Sequence, residues 1–257
     1  MSDSPPLVIA GRFNGPDGSA NGGYACGAFA GHVGPAFHGP LAVTLHTPPR
    51  LDTPLRSETR GRRAALWDGD ELVATASPTA HRPSELPPLP LPVAEQAATG
   101  FTGRHGHPFP TCFVCGVERA EDDGLYLSPG PVPDHPDTVA CPWQPDDSVA
   151  DQNGRVRPEV LWSALDCPGG WTTDPVATPR VLSWMTADLL DAPLAGTTYV
   201  IIARLDHAED RSTTNTSALY TVDGSLLARA TTQWLAIETS GRIADMTAQG
   251  LDLPARS

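Results

Sequence analysis

No lysine occurs among the 257 residues, and all 17 basic side chains are arginine. This absence removes lysine-dependent phosphate loops, Schiff-base chemistry and lysine general bases. Extended basic runs are missing too, and 30 acidic residues bring the net charge to -13. Nucleic acid and an anionic membrane are therefore not expected as partners. An anionic ligand would need a local arginine or a helix N-terminus. The opening MSDSPPLVIAGRF lacks a basic flank and has only a short apolar run, Leu7 to Ala10. Neither a signal peptide nor a membrane span is expected from it. Cysteine is scarce and odd in number, five without secretory context, which predicts reduced thiols in the cytoplasm.

What the sequence does contain is an echo. Leu51-Asp52-Thr53-Pro54-Leu55 returns as Leu190-Asp191-Ala192-Pro193-Leu194, and its surroundings return in the same order. Residues 43–47 align with 182–186, Ala65-Leu66 with Ala218-Leu219, Asp68-Gly69 with Asp223-Gly224, and 72–76 with 226–230. An ordered series of this kind predicts two tandem copies of one domain, with 51–55 and 190–194 in equivalent places. The length suits two domains of ordinary size.

The stretch HRPSELPPLPLPV, residues 81–93, holds five prolines and reads as an extended connector, against helix. The expected division is a first domain at 1–80, a proline-rich linker at 81–107, a second domain at 108–240 and a tail at 241–257. Strands are expected at 41–45, 66–76, 181–188, 198–205, 214–220 and 226–237, with Asp68-Gly69 as a hairpin signal. Each copy puts one helix before its strands. In the second it is 157–167, with Pro158 at a favourable first position, an apolar face of Val160, Leu161, Ala164 and Leu165, and Pro168-Gly169-Gly170 as a stop. In the first it is 21–33, crowded with Gly22, Gly23, Gly27 and Gly31. Glycine costs ~1 kcal/mol against alanine in an exposed helix, so this one forms only if something packs closely against it.

Cys112-Phe113-Val114-Cys115-Gly116 followed by Asp123-Gly124-Leu125-Tyr126-Leu127 resembles the opening of hotdog acyl-CoA thioesterases of the phenylacetate-pathway type. Asn21-Gly22-Gly23 resembles that family's His-Gly-Gly at the start of the central helix, with Asn in place of His. The resemblance implies an α+β tandem, or double, hotdog in which each half is an antiparallel sheet wrapped around a central helix. It also implies an oxyanion donor at the helix start and, nine residues on, a carboxylate supplied across the dimer. Nine from Asn21 is Ala30; nine from Arg157 is Asp166.

The family pattern therefore makes one composite site, with Asn21, Gly22 and Gly23 facing Asp166, while Arg157-Pro158-Glu159 faces Ala30 and is inactive. Each assignment has a plainer counterpart. Asp166 could satisfy loop N–H groups, and Gly22 and Gly23 could serve close helix packing. Asn14 stands near a family Asn that orients water or substrate, or else caps the turn at 14–18. Arg157 could pair with a CoA phosphate, or lie on a surface turn without specific work. Ser183 and Thr186 match the family's helper Ser or Thr only by rough position.

His105, His107, Cys112 and Cys115 have the residue types and approximate spacing of a zinc site. Against this, the same opening serves hotdog thioesterases without metal, so no metal and no cofactor are expected. A redox pair of Cys112 and Cys115 lacks a strand-then-helix setting. The reading that follows is an acyl-CoA thioesterase-like enzyme, cleaving an acyl thioester at the interface of the halves. Its rival is a non-catalytic hotdog that binds acyl-CoA or another small ligand. Enoyl-thioester hydration needs a neighbouring Asp and His, which neither helix supplies. Acyl chain, carrier and homo-oligomer formation stay open.

Overall fold

The computed structural model describes residues 5–120 and 122–237. The expected tail at 241–257 lies outside the described residues. In chain order the principal elements are α1 (Gly22–Val33), β1 (Leu41–Leu45), β2 (Arg56–Arg60), β3 (Arg63–Asp68), β4 (Glu71–Pro78) and α2 (Leu91–Thr99). There follow β5 (Gly130–Val132), β6 (His135–Trp143), α3 (Pro158–Gly170), β7 (Arg180–Leu189), β8 (Tyr199–Glu209), β9 (Ser212–Thr221) and β10 (Leu226–Ala236). The strands form one antiparallel sheet of ten, in the order β2-β3-β4-β1-β7-β10-β9-β8-β6-β5. The two halves meet where β1 pairs β7, with Val43 opposite Met185 and both fully buried.

The halves repeat one hydrogen-bonding plan. Gly15 N–H donates to Ser19 O as Asp151 N–H does to Arg155 O, and Asn21 N–H to Phe13 O as Arg157 N–H does to Val149 O. Likewise Ala20 N–H donates to Pro49 O as Val156 N–H does to Pro193 O, and Asp52 N–H to Ile9 O as Gly196 N–H does to Pro145 O. These pairs correct the echo that first suggested a repeat. Pro49 corresponds to Pro193 and Asp52 to Gly196, so residues 51–55 correspond to 195–199, and not to 190–194. The two similar pentapeptides are out of step by five positions, and so are 43–47 and 182–186, since Leu45 pairs Ala74 as Leu189 pairs Ala228. Later blocks do coincide: Leu66 pairs Ala74 just before a bulge, as Leu219 pairs Ala228.

Two further expectations change, and three strands were not expected. Helix α3 does not stop at Pro168 but runs to Gly170. A Cβ on Gly169 would stand 2.8 Å from Thr232 Oγ1, and one on Gly170 2.9 Å from the Trp234 ring. Those glycines admit the sheet to the helix and do not end it. The proline-rich connector turns helical at Leu91, with Pro92 in the first turn, where its missing N–H costs nothing. Leu86, Ala94 and Ala97 pack on Ala140, Val200, Ile202 and Tyr220, covering the sheet face opposite α3. Strands β2, β5 and β6 had no reading in advance. β2 is the charged edge segment RSETR, and β6 contains Pro136 and Pro142. Charge is tolerated on the edge strand β2, and β6, although it lies between β8 and β5, carries Pro136 and Pro142 where β5 does not pair with it, so their missing N–H groups cost no β5 hydrogen bond.

The glycine-rich α1 is helical for the reason its composition demanded. It lies against α3 so closely that a Cβ on Gly27 would be 2.7 Å from Trp162 Cβ and 2.8 Å from Glu159 Cα. Asn21 caps the helix, its Oδ1 accepting the Tyr24 N–H at 2.9 Å. This crossing brings the first turn of α1 to the C-terminal half of α3. Among the described residues no helix is long and apolar enough to cross a membrane.

Candidate active site

Where α1 begins against α3, Asp166 is 1% exposed and its Oδ2 accepts the Gly23 N–H at 2.8 Å. Its Oδ1 is buried without a hydrogen-bond partner. Burial pushes the Asp166 carboxyl well above the ordinary carboxylate range, and the Gly23 N–H opposes that shift. The amide of Gly22, first residue of the helix, has no acceptor within α1 by position. A buried carboxylate oxygen and a helix N-terminus therefore share one small region. Asn21 joins them, with its side-chain amide 3.5 Å from the Cys167 sulfur and 3.9 Å from that of Cys112.

These groups open onto a cleft of about 780 Å³, counting the open space at its mouth. Asn21, Gly22 and Asp166 line it together with Leu182, Trp234 and Arg180. The sequence reading missed Arg180, His107, Trp234 and Cys167 as cleft residues. Arg180 Nε is buried without a partner, as are His107 Nε2 and Trp234 Nε1. In a chain without lysine, an arginine at the start of the strand that follows α3 was the one available signal.

Two predicted substrate contacts are not at the cleft. Asn14 donates to Thr111 O at 2.9 Å and accepts from Arg119, whose guanidinium also reaches Arg12 O, Thr111 O and Asp123. It is a tie between the N-terminal turn and the Cys112 segment. Asn14→Ala is expected to lower stability by ~1–2 kcal/mol through the unsatisfied groups it leaves, without raising KM, as thermal melts and steady-state kinetics would check. Arg157 lies over the Phe13 ring, 5.6 Å from its centroid, and 3.8 Å from Glu159. It marks the counterpart position, where Pro158 has no N–H and Ala30 no carboxyl. Ser183 Oγ is spent on Gln233 O and Thr186 Oγ1 on Leu41 O.

Of the zinc candidates, His105 is exposed. His107 Nδ1 accepts the Phe109 N–H at 2.9 Å. Cys112 and Cys115 do meet, and the third thiol beside them is that of Cys167.

No family model matches the chain, and no curated protein sequence is similar enough to match. Solved structures do. The tesB protein of Mycobacterium avium subsp. paratuberculosis is 9% identical, with a TM-score of 0.54 over 87% of this chain and 89% of that one. An acyl-CoA thioesterase II from Mycobacterium marinum is 11% identical, with a TM-score of 0.54 over 86% and 90%. A conserved protein of unknown function with a hotdog fold, from Alicyclobacillus acidocaldarius, is 14% identical, with a TM-score of 0.51 over 88% and 90%. At these identities the likeness establishes the hotdog fold over most of the chain.

Proposed function

We propose that this protein hydrolyses an acyl-CoA or related acyl thioester in a cleft between two tandem hotdog copies, 1–80 and 108–240. The observation that carries the reading is the Asp166 carboxyl: buried, one oxygen held by the Gly23 N–H, the other unpaired beside the start of α1. Burial that raises the Asp166 carboxyl above the ordinary carboxylate range makes its ionised form a stronger base, which suits general-base work. Asp166 Oδ1 takes a proton from water as the water oxygen attacks the thioester carbon. The carbonyl oxygen, gaining charge, accepts from the Gly22 N–H at the positive end of α1. The carbon–sulfur bond then breaks, and the thiolate leaves with the proton returned from Asp166. Similarity in fold to an acyl-CoA thioesterase II supports the same substrate class.

Arg180 supplies the positive charge that an anionic thioester donor needs in so acidic a chain. Arg180→Ala is expected to raise KM about 10-fold with kcat little changed, the usual scale for one charged hydrogen bond. A non-catalytic, ligand-binding reading is favoured by one observation: Asp166 occupies the Gly23 N–H, which leaves Gly22 as the single backbone donor. A panel of acyl-CoAs, followed by release of free thiol, tests both. Hydrolysis of at least one supports the enzyme; binding of several with hydrolysis of none selects the binder.

A further inference from the structure

We propose that Cys112, Cys115 and Cys167 form a three-thiolate site for a zinc ion on the wall of the cleft. Their sulfurs all lie within 4.8 Å of one another, and each residue is almost fully buried. None is in a disulfide. Tetrahedral zinc with Zn–S bonds near 2.3 Å requires sulfur pairs about 3.8 Å apart. Cys112 and Cys167 Sγ are 3.8 Å apart. Two of the ligands come from the short Cys-x2-Cys turn before β5 and the third from the rigid α3, so the triangle is fixed by elements 55 residues apart.

Three neutral thiols packed as small apolar groups would also be buried. The surroundings argue for charge on sulfur. The Asn21 amide donates toward both Cys112 and Cys167, an arrangement that stabilises thiolates and that neutral thiols do not require. Beside them on the same cleft wall stands the buried Asp166 carboxyl, whose Oδ1 has no donor; negative groups packed this closely repel one another, and a divalent cation would relieve that repulsion. His107 is not the fourth ligand: its Nδ1 accepts the Phe109 N–H, which puts the ring proton on Nε2. Three protein ligands with the fourth position left to a group in the cleft is the pattern of a reactive rather than a purely structural zinc. Binding would release one proton from each thiol, leaving three thiolates on the divalent ion with a net charge of -1. Cys167 is what changes the expectation of a metal-free pair, because no spacing rule linked it to Cys112 and Cys115.

The site goes beyond the hydrolase reading and is tested without assaying activity. Full-length protein purified without chelator from zinc-supplemented medium should contain one zinc per chain. Replacing it with Co2+ should give the strong near-ultraviolet absorption of thiolate-to-cobalt charge transfer. Cys112→Ser and Cys167→Ser should each weaken zinc binding by about 100-fold or more in competition with a chromophoric chelator, more than loss of an outer partner would. Cys141→Ser, which removes a buried thiol outside the triangle, should bind as the unaltered protein does. Zinc binding weaker than about 1 μM in the unaltered protein would overturn the site. So would a cobalt form without the charge-transfer band, a measurement that stands even if a serine variant fails to fold, or equal losses in Cys141→Ser and Cys112→Ser.

Discussion

Asp166→Asn is expected to lower turnover by roughly 10²-fold or more while leaving ligand affinity and fold nearly intact. Asparagine keeps the volume of the side chain in a fully packed position, and its carbonyl oxygen can still accept the Gly23 N–H that Oδ2 accepts now. What it loses is the capacity to take a proton at the other atom. The counterpart position provides the control. Glu159→Gln should change turnover little, since Pro158 has no N–H and Ala30 no carboxyl with which Glu159 could act. Ala30→Asp should not create a second working site, for the same lack of a donor at Pro158. Single-turnover and steady-state measurements on the three variants decide the matter. Full activity in Asp166→Asn, or loss confined to Glu159→Gln, would move the working site to the other half.

The positions legible in the sequence were those where a local signal and a packing demand coincide. Asn21 is the helix cap because it precedes the helix and its short side chain reaches the Tyr24 N–H. Asp166 faces Gly23 because it lies late in α3, on the stripe that α1 crosses. The hairpin at Asp68-Gly69 was legible from turn chemistry alone, and Gly69 has the positive φ that the turn requires. The pentapeptide echo misled because five similar residues do not fix where they fall relative to a strand. Leu190 and Asp191 hydrogen-bond to Leu227 O, as His46 and Thr47 do to Val73 O, so the second pentapeptide starts at the end of its strand and the first starts in the following loop. Cys167 as neighbour to Cys112, and Arg180 in the cleft, depend on how α3 seats against a distant loop. No pattern within either segment encodes that contact.

Gly27→Ala and Gly31→Ala, four residues apart on α1, are expected to change stability in opposite directions. On helix propensity alone both should gain ~1 kcal/mol. At Gly31 a Cβ meets nothing within 4 Å, and the residue is exposed, so that gain should be realised. At Gly27 the new methyl would stand 2.8 Å from the Glu159 Cα and 2.7 Å from the Trp162 Cβ, both fixed to the α3 backbone and unable to rotate away. The helices must separate by several tenths of an ångström, at an overpacking cost of up to ~3 kcal/mol that outweighs the propensity gain. A net loss near 2 kcal/mol corresponds to a melting temperature lower by roughly 5 °C in a chain of this size, against a rise of a few degrees for Gly31→Ala. Separation also draws the start of α1 away from Asp166, so Gly27→Ala should lose turnover at temperatures where it is still folded, while Gly31→Ala retains it. Melting curves and kinetics below both transitions would check this, and shifts of the same sign in the two variants would show that α1 and α3 do not meet as closely as the crossing at Gly27 requires.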